Sequence, residues 1–293
     1  AIFTTLHRAA FRFRYGSPAE RQAAVDLLAE SESALGGVGY LFRATRGVRW
    51  LEPREAMMRR VAEAVPSSET VDRALANTLV ERGRMGEALE RTSPGTQAGS
   101  AIRLMLHGDG LLPEDSIRHL DWQGDTLGGA ATAAPLGDWD TFDRARAAME
   151  RRLGQLLERR PDLADGPSGP RGALHMLDAY AVWQRSGARA AEPAMEDVLR
   201  TAPRGLVGVL VLPWLGRLHD ELGEDRDALR YYRVAALERS IYHLHAARAA
   251  ARLGLADEAR HHYRQLLIAW KDADPRYEPW LQEAREWSES LPG

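Results

Sequence analysis

Apolar residues along this chain recur at intervals of three and four far more often than at intervals of two, so the pattern predicts helices and gives little sign of strands. Val71, Leu75, Leu79 and Val80 mark one face of a helix capped by Ser67 or Ser68, and Phe142, Ala145, Met149, Leu153 and Leu156 mark another that begins at Asp140 and ends near Arg160, before Pro161. Pro53 opens a helix carrying Met57, Met58, Val61 and Val65. Ser17-Pro18-Ala19-Glu20 signals a helix start in two ways. The serine caps together with a glutamate three residues on, and proline occupies the first helical position, where no N–H is needed. A short apolar helix around Ile102–Leu106 is set off by Ser93-Pro94-Gly95 and by the turn His107-Gly108-Asp109-Gly110, whereas Gly124 to Gly137 is rich in Gly and Ala and has no decisive period. The apolar run Gly205–Gly216 falls short of the roughly 18 residues that cross a bilayer and contains Pro213, so it reads as a buried helix. Pro279 starts a last helix with Trp280, Ala284 and Trp287 on one face.

A repeat organises the C-terminal third. Leu222-Gly223 laid over Leu253-Gly254 brings Ala228 onto Ala259, Tyr232 onto Tyr263, Asp227 onto Glu258 and Gly216 onto Ala247. Each landmark has a physical task. Gly223 and Gly254 end a helix in the left-handed conformation. Ala228 and Ala259 are small where two helices approach, with Gly216 and Ala247 as the matching small positions on the first helix. Tyr232 and Tyr263 fill the space toward the neighbouring hairpin. Weaker echoes lie upstream: Gly83 with Ala88 after Leu75-Ala76, the turn Gly137-Asp138-Trp139, and Gly187 after Trp183, where Glu192 takes the small position.

This pattern resembles the tetratricopeptide repeat (TPR), over about 203–275, although the offset of 31 between Gly223 and Gly254 is shorter than the family period of about 34. The segment from Tyr263 through Trp270-Lys271-Asp272-Ala273-Asp274-Pro275 looks like the closing hairpin of the TPR arrays of large bacterial signalling proteins. The resemblance implies an all-α protein, an α-solenoid of helical hairpins degenerate in its N-terminal half. Residues 1–160 then form the degenerate hairpin region, 161–172 (dense in Pro and Gly) a linker or long loop, and 173–293 the TPR-like repeats with a C-terminal capping helix. It further implies a non-catalytic protein–protein interaction scaffold, docking a protein or peptide partner on the face of the first helices through Arg217, His219, Asp220, Arg248 and Arg252. The alternative is a structural subunit of a larger, membrane-associated assembly, with Phe11, Phe13 and Trp50 exposed and covered by other chains.

Composition narrows the chemistry. The absence of cysteine among 293 residues removes disulfides, thiolate metal sites and cysteine nucleophiles. A net charge of −3 gives no general attraction for nucleic acid, so none is expected as a partner. Lys271 and Asn77 are the only residues of their kinds, the usage of a GC-rich bacterial genome. Phosphate-binding loops, a dinucleotide fingerprint, His-Glu-x-x-His and Gly-x-Ser-x-Gly are all missing, so neither an enzyme nor a cofactor is expected. His243 and His245 sit at i and i+2, about 200° apart on a helix, which does not suit a metal; with His261 and His262 they are expected as packing or surface imidazoles. Phe11-Arg12-Phe13-Arg14-Tyr15, preceded by Arg8, is expected to pack as a terminal hairpin rather than to stack on bases, and Tyr231 is expected to point toward an exposed face. The chain begins at Ala1, which admits a removed signal peptide, a further domain or an expression remnant upstream; no compartment is assigned, and membrane association would run through another chain or a missing segment.

Overall fold

A computed structural model of the protein describes residues 11–13, 15–29, 47–66, 68–120, 122, 127–161, 170–202 and 210–289. The described residues are all-helical. In chain order the helices are α1 (Pro18–Ala29), α2 (Leu51–Ala64, after a 3-10 turn Val48–Trp50), α3 (Glu69–Glu81), α4 (Met85–Arg91), α5 (Gln97–Gly108), α6 (Leu127–Ala133) and α7 (Trp139–Arg159). They continue with α8 (Pro170–Ser186), α9 (Ala188–Thr201), α10 (Leu212–Glu221), α11 (Asp225–Ala235), α12 (Ile241–Arg252), α13 (Ala256–Ala269) and α14 (Glu278–Glu289). Among the described residues no helix is long and apolar enough to cross a membrane.

The chain divides into two compact units, 1–93 with 264–293, and 94–263. The segment 161–172, expected as a linker, falls within the second unit, and its residues 162–169 lie outside the described ones, as do Ser67, 124–126 and 203–209. In the first unit α1 opens on the capping box read from the sequence: the Ser17 N–H donates to Glu20 Oε2 at 2.8 Å and the Glu20 N–H donates to Ser17 Oγ at 3.3 Å. Met57, Met58 and Val61 of α2 are buried, as are Val71, Leu75, Leu79 and Val80 of α3. Ser68 is the N-cap of α3 by position, without a side-chain cap bond. Phe13 and Trp50 are buried and pack on each other at 6.2 Å, in keeping with local packing of the terminal segment and against the exposure that the larger-assembly alternative expects; Phe11 and Tyr15 remain exposed. Arg8 and Arg14 lie outside the described residues. The carboxylate of Glu55 is buried among Arg59, Arg82 and Arg84, accepting from each at 2.6–2.8 Å. Trp270 and Ala273 press on the Gly83 turn, and Asp274 grips it from both sides: its N–H donates to the Gly83 carbonyl at 2.9 Å and its carboxylate accepts from the Gly86 N–H at 2.8 Å.

One helix ending recurs in both units. At Gly83, Gly110, Gly137, Gly223 and Gly254 the backbone is left-handed, with φ between 67° and 73°. In each case the glycine N–H bonds three residues back, and the next N–H bonds five residues back. That pairing satisfies two of the carbonyls a helix end leaves free, and only glycine adopts it without a Cβ penalty. Gly187 turns differently (φ 83°, ψ 173°) and is itself the N-cap of α9. The helix after it therefore starts one residue sooner. The small position expected to be taken by Glu192 is filled instead by buried Ala191, and buried Met195 follows one turn later.

Within the second unit Ala130, Ala133, Phe142, Ala145, Leu177 and Ala181 form one core, and Met176, Trp183, Met195, Val198, Trp214, Leu215 and Tyr231 belong to another. The Gly/Ala-rich stretch without a clear period is thus a small-residue helix, α6, whose alanines let α7 and α8 close over it. A buried ion pair joins the turn after α5 to the start of α12. Asp109 accepts from Arg239 Nη1 at 2.8 Å and from the Tyr242 hydroxyl.

Candidate partner-binding site

The repeat landmarks all lie where they can act. Gly216, Ala228, Tyr232, Ala247, Ala259 and Tyr263 are buried, and Gly223 and Gly254 make equivalent turns. The Tyr232 ring of α11 lies directly against Gly216 of α10; on its other side it stacks on Tyr242 (6.0 Å) and His245 (5.1 Å) of α12. This one side chain therefore ties α10, α11 and α12 together. Burial and the neighbouring Asp220 both raise the pKa of its hydroxyl.

That packing gathers part of the predicted contact set. The half-buried His245 is pushed down to about 3, first by burial and then by the guanidinium groups of Arg248, Arg217 and Arg252. Three arginines from α10 and α12 thus share one neighbourhood. Arg217 donates to the Gly108 carbonyl at the end of α5 and lies 5.5 Å from the Trp183 ring centroid. Arg252 bridges Asp220 and Asp225, the latter at 2.6 Å. Arg248 is half-buried.

His219 does not join this group. It is 3% exposed and faces α9. Its Nδ1 lies 2.8 Å from Glu224 Oε2 and its Nε2 lies 3.3 Å from Glu196 Oε1. Tyr231, expected to be exposed, stacks on the His219 ring at 5.5 Å and donates its hydroxyl to Glu196 Oε1 at 2.6 Å. Burial and then Glu196 push this phenol up to about 12. Arg189 spans Glu192 (2.9 Å) and Glu224 (3.0 Å) at the rim.

Two further histidines meet across a pair of helices. His243 of α12 and His262 of α13 are buried with their Nδ1 atoms 2.9 Å apart. Burial pushes His243 down to about 3 and His262 to about 4, each further lowered by neighbouring imidazoles, so both are neutral and one ring donates to the other. Sequence reasoning did not find the Glu196–His219–Tyr231 and Asp109–Arg239–Tyr242 networks. The usable signal for the first was Tyr231 itself, adjacent to a core tyrosine on a helix whose next neighbour carries Glu192 and Glu196. For the second there was none, since Asp109 lies more than a hundred residues from both Arg239 and Tyr242. Neither protein-family models nor curated proteins give a match to this chain.

Proposed function

We propose that the chain is a non-catalytic, TPR-like α-solenoid scaffold that docks an acidic segment of a protein or peptide along α10 and α12. The observation that carries this reading is that Arg217 of α10 and Arg248 and Arg252 of α12 all lie close enough to His245 for their charges to act on it. It is supported by the register at Gly223/Gly254, Ala228/Ala259 and Tyr232/Tyr263, where equivalent turns and buried small residues recur. Guanidinium groups held in place by Asp220, Asp225 and the Gly108 carbonyl lose little side-chain freedom when a carboxylate arrives. The test is to titrate the protein with acidic and charge-neutralised versions of a captured binding peptide, and to repeat the titration with Arg248→Glu and Arg217→Glu/Arg248→Glu. Saturable binding that needs the peptide carboxylates and is lost in folded variants supports docking here. Binding indifferent to both changes refutes it. The exposed Phe11–Tyr15 pair, 5.0 Å apart, favours a second reading as a subunit of a larger assembly, which light scattering reads as self-association or a stable hetero-complex lost on Phe11→Ser.

A further inference from the structure

We propose that Glu192, His219 and Glu224 bind a divalent transition-metal ion of the Zn²⁺ class, clipping α9 to the α10–α11 turn. One donor atom from each of the three residues lies within 4.8 Å of the other two. The set is imidazole plus two carboxylates, the mixed nitrogen–oxygen type that Zn²⁺ accepts with water in the remaining position.

Local structure explains why these side chains converge. His219 and Glu224 are the two ends of the hydrogen bond that closes the Gly223 turn, where the Glu224 N–H donates to the His219 carbonyl at 2.8 Å. That bond brings two side chains side by side and is usually covered by an apolar contact. The equivalent pair at the Gly110 turn is Leu106 and Leu111, both buried. At Gly223 the pair is instead an imidazole and a carboxylate. Glu192 comes from α9, one residue beyond the core alanine Ala191, and so sits at the edge of the packed face rather than in it.

The surroundings orient the histidine as metal sites do. With the ring proton on Nε2 and given to Glu196, Nδ1 turns its lone pair toward Glu224 and Glu192. Glu196 is fixed in turn by the Tyr231 hydroxyl, and the Tyr231 ring holds the imidazole plane by stacking. A carboxylate behind a ligating imidazole fixes its tautomer and raises its basicity. In that tautomer Nδ1 and Glu224 Oε2, 2.8 Å apart, both present lone pairs, which a bound cation can share in place of a proton. Arg189 bridges the two carboxylates from the rim, at Glu192 Oε2 (2.9 Å) and Glu224 Oε1 (3.0 Å), with a side chain that is 67% exposed.

This inference is independent of the docking proposal, since it uses none of the three arginines. The experiment is calorimetric titration of chelator-treated full chain with Zn²⁺ alone, with metal content and melting temperature read in parallel. Wild type is expected to take up one ion per chain at this site and to melt higher with it. Glu192→Gln is expected to weaken uptake by more than about tenfold, and Glu196→Gln by roughly 10–100-fold, the range for loss of a group behind a ligand. Arg189→Ala, which removes the competing cation, is expected to tighten it. His219→Gln abolishes it where the variant folds, and Glu192→Gln, a change at a half-buried edge, decides the matter where it does not. Absence of uptake by wild type overturns the proposal. Uptake unchanged in Glu192→Gln overturns it too, placing the ion at other histidines.

Discussion

The contact between Gly216 and Tyr232 sets up the sharpest test of the hairpin register. A Cβ on residue 216 would lie 2.5 Å from Tyr232 Cε1 and 2.6 Å from Cδ1, where carbon atoms ordinarily rest about 3.5–4.0 Å apart. Gly216→Ala therefore forces the ring back by about 1 Å. The ring has nowhere to go: it is fully buried, and Tyr242 and His245 stack behind it. Overpacking of this kind costs about 1–3 kcal/mol, and a rigid aromatic stack belongs at the upper end. Alanine recovers about 1 kcal/mol of helix propensity, which leaves a net loss of about 1–2 kcal/mol.

Gly154 in α7 supplies the control, because it lies in the same unit, is exposed and has nothing within 4 Å of its would-be Cβ. Gly154→Ala is expected to stabilise by about 0.5–1 kcal/mol through propensity alone. Urea unfolding followed by circular dichroism reads both as midpoint shifts at constant slope. The two variants should move in opposite directions. Moreover, Tyr232→Leu should cost less in the Gly216→Ala background than in wild type, since it removes the ring that clashes. If Gly216→Ala raises the midpoint as Gly154→Ala does, the ring does not press on α10 and the register fails.

Two other perturbations follow from the buried polar groups. Asp109→Asn removes the buried carboxylate that Arg239 and Tyr242 share and is expected to destabilise by about 3–5 kcal/mol in urea unfolding; a loss below about 1 kcal/mol would mean that water reaches the pair. Acid should unfold the protein through His243 and His262. Their folded pKa values of about 3 and about 4 lie below the ordinary 6.5, so the unfolded chain takes up protons first and stability falls as pH drops from about 6.5 toward 4. Each of these imidazoles, and likewise His245 at about 3, contributes about 2 kcal/mol of that loss by pH 5, so His262→Gln should remove about a third of it. A pH slope identical in the variant would show that the carboxylates alone govern acid unfolding.

What was legible in the sequence were the features that act through neighbours in the chain. The Ser17–Glu20 box, the faces of α2 and α3, the first part of the α7 face (Phe142 and Ala145 are buried, Leu156 is exposed) and the glycine turns depend on residues within a few positions and are where the pattern places them. The Gly187 hairpin was misread because its turn is one residue shorter. Counting from the glycine puts Glu192 in the small slot, whereas counting from the N-cap puts Ala191 there, and backbone geometry that no residue type announces decides between them. The segment Phe11–Tyr15 shows both sides of its ambiguity: Phe13 packs locally on Trp50, as a terminal hairpin does, while Phe11 and Tyr15 stay exposed. α6 was illegible because alanine and glycine carry no amphipathic contrast, and its burial comes from what packs on it.

The predicted contact set divides along the same line. Arg217, Arg248 and Arg252 were chosen as polar positions on first helices, and the three do share one electrostatic neighbourhood, because helical period and hairpin offset together determine which residues of α10 and α12 face each other. His219 satisfied the same rule and yet turns the other way. It stands at the end of α10, where the closing turn rather than the helical period aims the side chain, and the turn aims it at Glu224 and toward α9. A spacing search within one helix had no means of pairing it with Glu192, since the ligand set is spread over α9, α10 and the turn before α11, joined only by tertiary packing. The i, i+2 histidines His243 and His245 show the converse. Spacing correctly places them on opposite sides of α12, one against His262 and the other against Tyr232, and neither is offered a carboxylate pair like the one His219 meets. In this protein the helix ends, more than the helix faces, are where polar side chains from distant parts of the chain are brought within bonding distance.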